Sequence, residues 1–297
     1  MSNENNESNE SKININEIDI NEIIPLPCHG FRNTGAICYF NSLIQCILSS
    51  THFLKFIVKH ENEYNLFREF LYFVNKNKWD VLFTTRLLIL CKMINPNQSS
   101  SEYFVYILDL LKLEPLFECT YQDIYKCKDC NKIISKKDIS YCPLINEDFK
   151  EFFETYEEIE NFNCEECKQK KTIIHCKRIS SLSNIVVVCL NKYFGKKMIE
   201  YPYEFDFSVK NEEEITEYKY RIIGTVEHIG NLNGGHYICR VRRGDRFYIA
   251  DDMNIKDMQE MQGNSSENSK ENNENNKNKM HSVCETYMVF YERVKEE

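Results

Sequence analysis

The apolar residues change rhythm once along the chain. After Cys38 they fall at helical spacing: Phe40, Leu43, Ile44, Ile47 and Leu48 keep the i, i+3, i+4, i+7, i+8 stripe of an amphipathic helix. A second stripe, Tyr64, Phe67, Leu71 and Val74, predicts a helix over 64–74, and further helices fit 80–93 and 100–112. Beyond about residue 116 the pattern becomes that of strands. The runs KTIIHCKRI, NIVVVCLNKYF, EYKYRIIGTVEHI, HYICRVRR, RFYIADD and ETYMVFYERV are dense in β-branched and aromatic side chains, which suit a pleated, half-buried surface. A helical first half followed by a strand-rich second half predicts an α+β fold, with a cleft where the two pack.

Two polar tracts interrupt this pattern. Residues 1–22 are rich in Asn, Glu and Ser and predict a disordered tail. The stretch GNSSENSKENNENNKNK at 263–279 has the same bias, but apolar sequence resumes after it with TYMVFYERV. It therefore reads as an insertion, about 261–281, in a surface loop. The 297 residues, 42% of them apolar, are enough to bury one large core or two modest ones.

Charge narrows the partners. The chain carries a net −9 and has no Lys/Arg block of five or more, so no nucleic-acid partner is expected; an acidic protein suits a basic protein partner better. The N-terminus lacks a basic segment followed by an apolar one, and dense apolar runs such as IVVVCL at 185–190 are too short to cross a bilayer. Neither secretion nor a membrane is expected, and a reducing cytoplasmic or nuclear setting follows. There the 14 cysteines are expected to bind metal or act in catalysis rather than pair.

One of them stands out. In GFRNTGAICYFNSLIQ, residues 30–45, Cys38 sits between a glycine-marked turn and the predicted helix, and a helix N-terminus lowers a thiol's pKa. A thiolate nucleophile needs a base, a group to orient the base, and donors for an oxyanion. Among seven histidines, His228 and His236 flank a glycine-rich turn, and His236 is the stronger candidate base. Gly234 and Gly235 before it permit close backbone approach, and the alternation after it places it at the mouth of a strand. The plainer alternative makes GG a hairpin turn with His236 merely exposed.

RFYIADD supplies Asp251 and Asp252 on a strand that pairs with 236–243 as a hairpin across RRGD; either carboxylate would accept from the imidazole Nδ1–H, unless the pair simply ends a strand in a solvated turn. Asn33 offers an amide to an oxyanion together with the Cys38 backbone N–H, or else forms a turn between Gly30 and Gly35. Separately, Cys127/Cys130 and Cys164/Cys167 form two C-x2-C pairs with 33 residues between them. Two such knuckles complete a tetrahedral, four-thiolate structural zinc site; a redox pair is the rival reading, and Cys119, Cys142 and Cys176 are near enough in sequence to compete as ligands.

Together these residues resemble the ubiquitin-specific protease family, the papain-like deubiquitinases, over about 23–297. The family's cysteine box, near G-L-x-N-x-G-N/A-T-C-Y-M-N-S-x-L-Q, is matched by Gly30, Asn33, Gly35, Cys38, Tyr39, Asn41, Ser42 and Gln45; Phe31, Ile37, Phe40 and Ile44 depart from it. HIGNLNGGHY with RFYIADD resembles the histidine box, Phe247 standing for a tryptophan, while TYMVFYER and VVVCLNKYF resemble the closing strand and the L-K-R-F strand.

The resemblance implies a papain-like fold of helical thumb (about 30–115), zinc-bearing fingers (about 117–182) and β-rich palm (about 183–297). It implies Cys38 as nucleophile, His236 as base, Asp251 as orienter with Asp252 in support, and Asn33 as oxyanion donor. Cys127, Cys130, Cys164 and Cys167 would hold structural Zn2+. Gln98, Glu102, Gly234, Gly235 and Tyr237 would bind substrate. The implied activity is thiol-dependent hydrolysis at the C-terminal glycine of ubiquitin, by a monomer acting on ubiquitin and ubiquitinated proteins.

One departure bears on substrate. The family's Q-Q-D-x-x-E-F segment is N-Q-S-S-S-E-Y here, with Ser99 in the acidic position. Loss of one charge-assisted contact weakens binding by about 1–3 kcal/mol. It leaves a weak or silent ubiquitin-binding scaffold, or a protease for another ubiquitin-like modifier, as alternative readings.

Overall fold

The computed structural model describes residues 26–60, 99–193, 198–210, 215–231, 234–259, 280–281 and 285–294. The expected tail at 1–22, the helices expected at 64–74 and 80–93, Gln98 and nearly all of the 261–281 insertion lie outside the described residues.

Among the described residues the helices come first: α1 (Cys38–Ile47), α2 (Thr51–Lys59), α3 (Ser100–Leu111) and the single turn α4 (Glu114–Phe117). The strands follow as β1 (Cys119–Cys127), β2 (Ile133–Ser140), β3 (Leu144–Ile145), β4 (Glu154–Cys164), β5 (Gln169–Leu182), β6 (Ile185–Leu190), β7 (Tyr201–Pro202), β8 (Glu204–Lys210), β9 (Ile215–Asn231), β10 (Gly234–Arg243), β11 (Arg246–Asp251), β12 (Asn254–Asp257), β13 (Met280–His281) and β14 (Thr286–Val294). The stripe read after Cys38 is α1, and 100–112 is α3. The nine-residue α2 is not among the helices that the apolar spacing predicts; its sign is Ser50, whose hydroxyl caps the helix by accepting from the Phe53 N–H at 3.1 Å.

The larger sheet runs β12-β11-β10-β9-β14-β6-β3, with β8 also on β9. Its centre is buried on both faces, which explains an unbroken apolar run where a one-sided strand would alternate. In β6, Ile185 and Val187 join the helix-side core with Phe40, Phe104 and Phe290, while Val186 and Val188 join Phe149, Phe152 and Phe205 on the opposite side. The helix side matters for the site, because there α1 lies on β10 and all ten of its residues are buried. Polar groups taken inside need partners. Gln45 of α1 gives its amide to the His29 carbonyl and accepts from Arg243 Nη2 at 2.8 Å, so the end of α1 is fixed to the end of β10. Glu292 of β14 accepts from Ser50 Oγ at 2.6 Å and from the His52 N–H at 2.8 Å, placing a carboxylate at the N-terminus of α2.

The smaller sheet, β2-β1-β5-β4, is antiparallel throughout and carries the cysteine pairs at one end. Three of its strands are pinned by His175 of β5. Nε2 lies 2.9 Å from Asp123 Oδ1 of β1, Nδ1 lies 2.7 Å from Glu157 Oε1 of β4, and the ring stacks on Tyr125 at 4.4 Å.

Burial lowers the His175 pKa, but the hydrogen bonds to Glu157 and Asp123 outweigh it and the pKa is raised. A folded-state value above the unfolded one stabilises fully below the unfolded pKa, about 6.5, and the contribution is lost as pH rises through the folded value. Urea midpoints should therefore fall between about pH 5.5 and about pH 8.5 more steeply in the native protein than in His175→Gln. Equal slopes would refute His175 as the pin.

Candidate active site

Cys38 opens α1, and the N-cap Ile37 provides no side-chain cap, so the first N–H groups of the helix stay open toward the thiol. The side chain is 8% exposed. Burial pushes its pKa above the ordinary thiol value; the Tyr237 N–H opposes this, the Asp252 carboxylate adds to it, and the N–H groups of Tyr39 and Cys38 oppose it again. The lowered pKa expected from the helix N-terminus is thus overturned by desolvation.

The Tyr237 N–H comes from β10, one residue after His236. His236 Nε2 lies 2.6 Å from Asp251 Oδ1, with both side chains partly open to solvent. The expected partner atom was Nδ1, and the register explains the change. Cys239 faces Ala250 across the β10–β11 hairpin, so His236 and Asp251 stand diagonally, and the far ring nitrogen spans the gap. Nδ1 is not used by this pair.

Asp252 does different work. Its Oδ2 accepts from Asn33 Nδ2 at 3.0 Å, and its Oδ1 from Asn41 Nδ2 at 2.7 Å. Its carbonyl accepts from the Phe31 N–H at 2.8 Å. Asn33 Oδ1 takes the N–H of Gly35 at 3.0 Å and of Ile37 at 3.3 Å, which shapes the loop into α1. At Gly30 an added Cβ would lie 2.3 Å from the Met253 carbonyl oxygen, so only glycine allows the loop this close to the β11–β12 turn. Asn41 appeared in the sequence match without a role, and the structure gives it one.

Around this centre the expected substrate residues divide. Gly234 has open space beside it, but the space at Gly235 is filled by His228. The Tyr237 ring packs on His228. Glu102 and Ser99 are engaged with each other: the Ser99 hydroxyl accepts from the Glu102 N–H at 3.3 Å and the Glu102 carboxylate from the Ser99 N–H at 3.4 Å, a capping box for α3. The S-x-x-E spacing signals that box in the sequence.

At the end of the smaller sheet, the sulfurs of Cys127, Cys130, Cys164 and Cys167 all lie within 4.8 Å of one another. Cys130 and Cys164 are 3.6 Å apart, and Cys127 and Cys167 3.9 Å. The backbone N–H of Cys130 is the main influence drawing the Cys127 thiol down to about 7. Four converging thiols with N–H groups aimed at sulfur form a group able to hold a metal ion. The three competitors lie elsewhere: Cys119 is in the core, Cys142 adjoins Cys189, and Cys176 bonds Glu154.

The buried thiol opens α1, and the imidazole–carboxylate pair sits on β10 and β11, the strand pair against which α1 packs. The ubiquitin carboxyl-terminal hydrolase family model matches residues 29–291, and the chain belongs to that family. Curated relatives include ubiquitin carboxyl-terminal hydrolase 16 of Arabidopsis thaliana, 27% identical over 32% of this chain and 10% of its own length. Another is ubiquitin carboxyl-terminal hydrolase 24 of Mus musculus, 24% identical over 63% of this chain and 8% of its own. The chain thus spans a tenth or less of these relatives. Among solved structures, the fold is similar to that in the SAGA Ubp8/Sgf11/Sus1/Sgf73 DUB module bound to ubiquitin aldehyde, with TM-score 0.70, 16% identity, and coverage of 91% of this chain and 70% of that one.

The two aspartates should separate by experiment. Asp252→Ala removes the acceptor shared by Asn33 and Asn41 and should cost about 1–3 kcal/mol of stability. Asp251→Ala breaks a solvent-open pair and should cost less than about 1 kcal/mol. Denaturant unfolding of both variants tests the contrast; equal losses would contradict it.

Proposed function

We propose that the protein is a thiol-dependent deubiquitinase in which Cys38, His236 and Asp251 form the catalytic set. The observation that carries this is the junction of α1 and β10, where the residue after His236 aims its N–H at the Cys38 sulfur while Asp251 holds His236 through Nε2. His236 Nδ1 then takes the thiol proton, and Asp251 steadies the imidazolium. This transfer answers the raised thiol pKa, because a neighbouring base makes the thiolate when substrate arrives.

The thiolate attacks the carbonyl of the C-terminal glycine of ubiquitin. The Cys38 N–H and the Asn33 amide stabilise the oxyanion; Asn33 Nδ2 has two hydrogens, and the bond to Asp252 uses one. His236 protonates the departing lysine amine, then activates the water that hydrolyses the thioester. Gly234, Tyr237, Gln98 and Glu102 are the proposed contacts to the substrate tail. The helices act as thumb, the larger sheet as palm and the smaller sheet as fingers. Zn2+ is the proposed occupant of the four-cysteine group, where it supplies a structural cross-link between two hairpins. Ser99 gives a second reading its footing: with no carboxylate at that position, a ubiquitin-like modifier with a less basic tail would fit.

Incubation with ubiquitin carrying a C-terminal electrophile should add one ubiquitin mass to the native protein and none to Cys38→Ala. Adduct on the variant would refute Cys38 as nucleophile; adduct only with another modifier's probe would favour the second reading. Metal analysis should find about one zinc per chain, and none with the fold intact would refute the zinc assignment.

A further inference from the structure

Behind the start of β10 lies a histidine that this chemistry does not use. His228, on β9, is 5% exposed and faces Tyr237 in the register, their rings 4.4 Å apart. A Cβ at Gly235 would sit 2.4 Å from its Nε2 and 2.9 Å from its Cε1. The imidazole therefore occupies the space that glycine leaves beneath the β10 backbone. Its Nδ1 is hydrogen-bonded to the Tyr193 hydroxyl. Its own backbone is held too, the N–H by the Glu285 carbonyl at 2.8 Å and the carbonyl by Lys192 Nζ.

We propose that His228, braced by the Tyr193 hydroxyl, is a positioning residue that sets the height of the Gly235–Tyr237 backbone and so aims the Tyr237 N–H at the Cys38 sulfur. The chain of contacts is continuous. Tyr193 fixes the rotation of the ring, the ring supports Gly235 and Tyr237, and the Tyr237 N–H acts to lower the pKa of the thiol. Burial first, then Lys192 and His236, hold the His228 pKa below the ordinary histidine value. The lowered pKa favours the neutral ring, and the Tyr193 hydroxyl, both donor and acceptor, can hold Nδ1 in either tautomer.

The inference rests on Cys38 being the nucleophile, but its test does not require ubiquitin. The readout is the rate of Cys38 alkylation by iodoacetamide at neutral pH, followed by peptide mass, beside the urea midpoint of each variant. Tyr193→Phe removes one oxygen; it should leave the midpoint near native yet slow Cys38 alkylation several-fold, because a misdirected N–H no longer favours the thiolate. His228→Ala should slow it about tenfold, and His228→Gln, which keeps an acceptor, should recover part of that loss.

With a ubiquitin-derived fluorogenic substrate the same order should appear in kcat, with KM little changed. Native alkylation rates in Tyr193→Phe and His228→Gln would overturn the proposal, as would rates that merely follow the urea midpoint across all three variants. Native protein that alkylates at Cys38 but forms no adduct with a ubiquitin electrophile would refute the deubiquitinase reading, while the alkylation order would still decide the role of His228.

Discussion

The Asp252 carboxylate is the interaction on which the arrangement depends. It bonds the loop before α1, α1 itself and the end of β11 into one unit, through Asn33, Asn41 and its own backbone. The thiol and the imidazole come from segments 198 positions apart in sequence, and neither segment alone fixes its distance from the other. A charged acceptor shared by two amides does so with charge-assisted bonds, the one to Asn41 partly buried and the one to Asn33 open to solvent. The same carboxylate also raises the pKa of the nearby thiol. Rigidity here is gained at some expense to resting reactivity.

Much of this was legible in the chain, for physical reasons. The periodicity around Phe40, Leu43 and Ile47 marks α1 because one helix face must be apolar to lie on a sheet. The alternation in HYICRVRR, followed across RRGD by the short apolar run of RFYIADD, marks a hairpin. Types such as Gly30, Asn33 and Cys38 clustered before a helix signal a shaped loop with a reactive group.

What escaped the sequence depends on tertiary contact. The choice of Nε2 over Nδ1 follows from the diagonal register of β10 and β11. Gly235 reads as room for a ligand until His228 is seen filling it. Gln45 and Arg243 are an ordinary amide and an ordinary cation until the fold places them together. The lowered thiol pKa failed for the same reason: a helix N-terminus is a local feature, whereas burial is set by the whole molecule.

The position of β14 has a consequence for the order of assembly. It is the last strand described, yet it lies between β9 and β6 at the middle of the larger sheet, and its Glu292 holds the start of α2. During synthesis Cys38 leaves the ribosome well before β14, the last of the described strands and one that the larger sheet needs at its middle. Until then β9 and β6 are two unpaired edges, and α2 lacks its carboxylate. The candidate site therefore assembles only after β14 has been made. A nascent or prematurely ended chain holds a thiol without the platform to aim it.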